Sequence, residues 1–161
     1  MKKLIGIVLA SLLLLVAEQA RPQQPFVSPL LGTWAVDISR LPVPPEARPK
    51  SVTIIFSQVT PGRLTTRVEV VDPTGALLFA EGTNELNGTT APVDGNLEAD
   101  TSAATMPAPT VLVLQLARAG VPGSTRIYTV QPDGQSMVET AANFGANGQP
   151  VMRFNYFRRV E

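Results

Sequence analysis

Gly32-Thr33-Trp34 contains the only tryptophan of a 161-residue chain and heads a series of short apolar segments broken by proline-glycine turns. An indole opening the first strand of a small β protein points to a barrel with one plugged end. Downstream, Gly32–Ile38, Ser51–Val59, Leu64–Asp72, Ala76–Gly82, Thr110–Arg118, Ser124–Gln131, Ser136–Ala142 and Val151–Val160 are rich in β-branched and aromatic residues. They give a set of about eight strands. No amphipathic helix separates them, so no crossover is present to build a parallel sheet.

The turns carry their own chemistry. Thr60-Pro61-Gly62 and Val121-Pro122-Gly123 place a proline and then a glycine where a type II turn needs φ near −60° and then a positive φ. Asp72-Pro73-Thr74-Gly75 and Gln131-Pro132-Asp133-Gly134 have the form of type I turns whose glycine continues into a hairpin bulge. Arg40–Lys50 holds Pro42, Pro44, Pro45 and Pro49, which remove backbone donors and make it an extended connector. The fold class expected is therefore all-β, an antiparallel up-and-down meander. An open meander leaves two unpaired edges, and joining the first strand to the last removes them, giving a β-barrel of about eight strands. A two-sheet sandwich is the alternative.

Alternation assigns the interior faces: Val52, Ile54 and Phe56; Leu64, Thr66, Val68 and Val70, with Arg67 and Glu69 outside; Leu77 and Phe79; Leu112, Leu114 and Leu116; Phe154 and Tyr156. Thr83–Pro109 differs, being rich in Thr, Ala, Pro, Gly and Asp with few large apolar side chains. Long loops are commonly functional or mobile, so this stretch is expected either as a lid over the open end or as a surface loop with one irregular strand near Asn96–Thr101.

Lys2 and Lys3 followed by the uncharged run Leu4–Ala17 have the form of a signal peptide, with Ala20 as its expected last residue. The run is too short to cross a hydrocarbon core of ~30 Å comfortably. The chain is then organised as a signal peptide over 1–20, an extended N-terminal arm over 21–31 and a barrel domain over 32–161, and it is secreted or periplasmic. Removing residues 1–20 takes two lysines and one glutamate from the 13 basic and 13 acidic residues, leaving near-balanced charge. Scattered arginines and a single remaining lysine, Lys50, offer no field for nucleic acid or for a membrane once the leader is gone.

Cysteine and histidine are both absent. The fold must stand without disulfides, thiol chemistry is excluded, and the commonest general base and metal ligand is missing. No serine–histidine triad can form, and neither a metal site nor a cofactor is expected. Glu98 and Asp100 could share a strand face as a carboxylate pair, but so polar a segment favours solvated side chains. Glu139 faces either the lumen, beside Arg126 or Arg153, or the solvent in a cross-strand ion pair, and the second placement is the expected one.

Leu31-Gly32-Thr33-Trp34 followed by Asp37 resembles the Gly-x-Trp opening of lipocalins and related calycins. Ala91-Pro92-Val93-Asp94-Gly95-Asn96 with Asp100-Thr101, Pro132–Met137, Gly148-Gln149-Pro150 and the closing aromatic-arginine strand are similar to small exported bacterial lipocalin-like proteins, mostly of uncharacterised function. The resemblance implies a lipocalin-like barrel in which Gly32 and Trp34 are structural and an arginine of the last strand, Arg158 or Arg159, covers the indole.

Three functions fit these observations. The favoured one is a non-enzymatic, lipocalin-like binding protein of the cell envelope that holds a small apolar ligand among Trp34, Phe56, Phe79, Leu114, Met137, Phe154 and Tyr156; the same residues could instead fill a dry core. The second is a protein that meets a protein partner, such as a protease inhibitor inserting Arg21–Pro29. The third is a cofactor-free isomerase or cyclase, which requires a lumen carboxylate or Tyr156 with a shifted pKa.

Overall fold

The computed structural model describes residues 28–160; the segments expected to be a signal peptide and the first part of an extended arm lie outside the described residues. Ten antiparallel strands follow in chain order: β1 (Gly32–Val36), β2 (Ser51–Thr60), β3 (Arg63–Val71), β4 (Leu77–Glu85), β5 (Asn87–Gly95), β6 (Thr101–Ala108), β7 (Val111–Arg118), β8 (Val121–Val130), β9 (Ser136–Phe144) and β10 (Pro150–Val160). Each pairs with its sequence neighbour, and β1 also pairs with β10, matching Trp34 with Arg159 and Val36 with Phe157. The sheet is thus a closed barrel and leaves no edge along β1.

Ten strands replace the eight expected because Thr83–Pro109 is wall, neither lid nor surface loop. It supplies the end of β4, all of β5 and β6, and Asn96–Asp100 is the bend between those two strands. Small side chains hid it. Ser102 and Ala104 are buried on the inner face of β6 yet contribute almost no hydrophobic contrast, so the period of two is present without an apolar signature. The pairing of β4 with β5 is short, from Ala80↔Gly95 to Gly82↔Val93. Below it, Asn84 reaches across to β6, donating to the Ser102 carbonyl at 3.0 Å and accepting from the Ser102 hydroxyl at 3.0 Å.

The turns obey local chemistry, with one shift. Asp72 accepts from the Gly75 and Ala76 amides, and Asp133 from those of Gln135 and Ser136. The β7–β8 turn, however, falls at Ala119 (φ 51°) and Gly120 (φ 76°), so Val121-Pro122-Gly123 begins β8. Two consecutive positive φ values are those of a type I′ turn, whose twist suits a hairpin better than type II.

One end of the barrel is closed by Leu30 and Trp34, both fully buried, above Leu112 and Met137. The indole Nε1 donates to the Leu30 carbonyl at 2.8 Å. Arg159 lies over the ring at 4.2 Å and also donates to the carbonyls of Gly134, Leu31 and Pro29, so one guanidinium caps the indole and ties down the incoming chain. Gly32 has a φ of 116°, and a Cβ there would sit 2.8 Å from Arg159 Nη1. Only glycine allows both the backbone turn and the close approach. Arg158 points outward and is exposed.

Candidate functional site

Above the plug the barrel is hollow, with a cavity of about 480 Å³. Its two walls differ. β1 to β4 contribute Val36, Val52, Ile54, Val68, Val70 and Ala80, a mainly apolar wall set by alternation of inward side chains and interrupted by the polar Thr66 and Asn84. β8 to β10 contribute Arg126, Tyr128, Glu139, Arg153 and Asn155, and Glu98 leans in from the bend after β5. Leu41, Pro42 and Val43 of the proline-rich connector lie against the mouth, so the segment across the opening follows β1. It contains two short 3-10 turns, Ile38–Arg40 and Pro45–Ala47.

The floor is aromatic. Phe56 meets Tyr128 edge-to-face at 5.3 Å, and Tyr128 meets Phe157 in the same manner at 6.4 Å.

The polar wall centres on Glu139, which is 3% exposed. Arg126 Nη1 donates to Glu139 Oε1 at 2.7 Å, and Asn155 Nδ2 donates to Oε2 at 2.7 Å. Arg126 also donates to the Ser124 hydroxyl at 2.9 Å and to the Glu98 carboxylate. A buried charge persists only when it is paired and hydrogen-bonded, and here the guanidinium uses its whole fork. Burial opposes the charge on Arg126, but Glu139 first and then Tyr128 and Glu98 outweigh it, and its pKa rises above the ordinary arginine value. Burial foremost, then the neighbouring Glu139, pushes the Tyr128 phenol well above its usual 10.0, so it remains a neutral hydrogen-bond donor.

The outward ion pair expected of Glu139 is therefore replaced by the inward one. Register decides this: Glu139 stands opposite Tyr128 on β8 and Asn155 on β10, all on the inner face. Glu98 and Asp100 form no pair; Glu98 turns to Arg126, while Asp100 accepts from the Ala119 amide at 2.8 Å.

Of the seven aromatic and apolar residues expected around a ligand, Leu114 lines the cavity. Trp34, Phe56 and Met137 are buried in the packed layer beneath it. Phe79, Phe154 and Tyr156 are on the outer face. Phe79 packs beneath Arg67 at 5.1 Å, Tyr156 beneath Arg40 at 3.3 Å, and Phe154 is half exposed. The reason is phase. On β4 the pairs Val68↔Ala80, Thr66↔Gly82 and Leu64↔Asn84 bring small and polar residues inward, because a strand's facing partners share a side. On β10, Arg159 over the indole carries Phe157, Asn155 and Arg153 inward with it and sends Tyr156 and Phe154 out.

Sequence reasoning did not single out Tyr128, Asn155 or Phe157. The signal was present: choosing Arg159 over Arg158 as the cap sets the parity of the whole strand, and Ser124-x-Arg126-x-Tyr128-x-Val130 alternates in the same way. Among the described residues no group of three or more acidic side chains is placed to hold a metal ion. No protein-family model matches the chain, and no curated protein or solved structure is similar to it at a significant level.

Proposed function

We propose that this is an exported, lipocalin-like binding protein of the cell envelope that holds one small apolar ligand in its barrel. The observation carrying this reading is the 480 Å³ lumen, which lies within the ~300 to 1,000 Å³ typical of small-molecule sites and is sealed at one end by Leu30, Trp34 and Arg159. A protein that used the barrel only as a scaffold would fill it with side chains. Export rests on the leader-like residues 1–20.

The enzymatic alternative gains a lumen carboxylate in Glu139, but both its oxygens are held by wall residues, Arg126 and Asn155, in a structural ion-pair network. Tyr156, the other candidate, faces outward beneath Arg40.

Uptake of the neutral fluorophore N-phenylnaphthylamine tests the binding reading. One equivalent is expected to bind, and Leu114→Trp, which projects an indole into the lumen, should abolish uptake while circular dichroism shows the β fold retained. Absence of uptake by the wild-type protein, or uptake unaffected by Leu114→Trp, overturns it.

A further inference from the structure

Large apolar side chains left exposed gather at one side of the mouth. Phe144 at the end of β9 is 73% exposed, Met152 and Phe154 on β10 are 65% and 52% exposed, and Val121 at the start of neighbouring β8 is 65% exposed. Pairing of Phe144 with Pro150 and of Ala142 with Met152 puts Phe144 and Met152 in the outward phase of Phe154. The β9–β10 hairpin therefore ends in an apolar, aromatic tip, and exposed apolar surface of this kind marks a contact with protein or membrane.

The charge around the tip is one-sided as well. From Thr101 to Val160 the only acidic residues are Asp133 and Glu139. Asp133 caps the β8–β9 turn at the plugged end, and Glu139 is buried in the lumen against Arg126. Arg153, exposed at the mouth, is the one charge of the hairpin tip. On the neighbouring bends Glu98 is paired with Arg126, and Asp100, which accepts from the Ala119 amide, is offset by Arg118 of that same turn. A near-balanced total charge conceals this local excess of cation.

The turn that closes the tip satisfies its own backbone. The Gly145 amide donates to the Gln149 carbonyl at 2.9 Å, the Gly148 amide to the Gly145 carbonyl at 2.8 Å, and the Gln149 amide to Asn147 Oδ1 at 3.1 Å. Amides already paired lose little on leaving water, and unpaired ones are what bars a chain from lipid.

Shape decides the occupant. Closure of the barrel leaves no strand edge for a partner to extend, and a protruding tip offers no pocket for a partner's anchor. A bilayer interface deforms around such a tip and favours aromatic side chains, and anionic headgroups complement Arg153. We propose that the β9–β10 tip docks on the interface of an anionic phospholipid bilayer, with Phe144, Met152 and Phe154 below the headgroups and Arg153 among the phosphates, so that the mouth of the lumen faces the membrane. The contact needs no ligand in the lumen. Residues before Ser28 join the barrel at the opposite end, where the Ser28 hydroxyl donates to the Pro109 carbonyl at 2.8 Å.

Tryptophan probes in the full-length chain test this on vesicles of phosphatidylglycerol and phosphatidylethanolamine, with lipids brominated either near the headgroup or near the chain end as quenchers. Phe144→Trp and, independently, Met152→Trp should be quenched, and more by the shallow bromines, as expected of side chains seated about 5 to 10 Å into the headgroup boundary. The wild-type protein, whose single indole is buried in the plug, and Val59→Trp, an exposed position at the plugged end, should keep their emission. Adding Arg153→Glu to Phe144→Trp should raise the lipid concentration for half-maximal quenching at least about fivefold, the worth of one basic side chain at an anionic surface. No quenching of either tip probe, quenching of Val59→Trp equal to theirs, or indifference to Arg153→Glu overturns the inference. A tip probe whose emission shifts to the blue with protein concentration alone, and is not quenched by vesicles, overturns it in favour of a contact between copies. Fluorophore uptake without vesicles tests the binding reading separately, so failure of the docking leaves that reading standing.

Discussion

Replacing Glu139 with alanine should be among the most damaging single changes in the barrel. The carboxylate accepts from Arg126 at 2.7 Å and from Asn155 at 2.7 Å, and side-chain exposure is only 12% for Arg126 and 4% for Glu139. Truncation strips the guanidinium of its buried counter-charge and leaves it with Glu98, whose side chain is 52% exposed. Removing one partner of a buried pair costs about 3 to 5 kcal/mol, and the orphaned Asn155 amide falls within that range. Against a total stability of about 5 to 15 kcal/mol, that is a large fraction. Urea denaturation followed by Trp34 emission suits the measurement, since the single indole is fully buried in the plug and reports its opening. Glu98→Ala, by contrast, removes a half-exposed partner and should cost about 1 kcal/mol or less. A loss below about 1 kcal/mol for Glu139→Ala, or equal losses for the two variants, would refute the idea that Glu139 is the counter-charge that makes the polar wall tenable.

Arg159→Ala should destabilise by about 2 to 4 kcal/mol and red-shift Trp34 emission, because it loses the indole contact and three carbonyl bonds, whereas Arg158→Ala should stay within about 0.5 kcal/mol in the same urea titration. Gly32→Ala should cost about 1 to 3 kcal/mol, from positive φ and from collision with Arg159, and an unchanged denaturation midpoint would contradict the tight approach. Asn84→Ala should lose about 2 to 4 kcal/mol and raise amide exchange in β5 and β6, since two bonds spanning the short β4–β5 ladder disappear; equal exchange in the variant argues against that stitch. The carboxyls of Asp72 and Asp133 are held below their usual 3.8, chiefly by the Thr74 and Ser136 hydroxyls respectively. A lowered folded-state pKa contributes stability that is complete above the unfolded value and lost as pH falls through the folded one. Stability should therefore decline below about pH 4, and Asp133→Asn should flatten that decline in denaturation midpoints measured down to about pH 2.5.

Much of the architecture is written locally. Proline and glycine chemistry at Asp72–Gly75 and Gln131–Gly134 dictates antiparallel hairpins, and the valine-rich alternation of Val52–Phe56 and Leu64–Val70 marks their inner faces, because a turn and a two-residue period need no distant partner to be read. The absence of histidine and cysteine likewise follows from composition alone. Other features depend on what lies across the sheet. Ser102 and Ala104 become wall only when β5 and β7 flank them, and Ala80, Gly82 and Asn84 face inward only because Val68, Thr66 and Leu64 do. The polar wall belongs to the same class: Glu139, Arg126 and Asn155 come from three strands, and Glu98 from a bend 28 residues before Arg126. A single strand presents a charge to both faces as alternatives, and closure of the barrel, by pairing Trp34 with Arg159, selected the phase that puts those side chains inside.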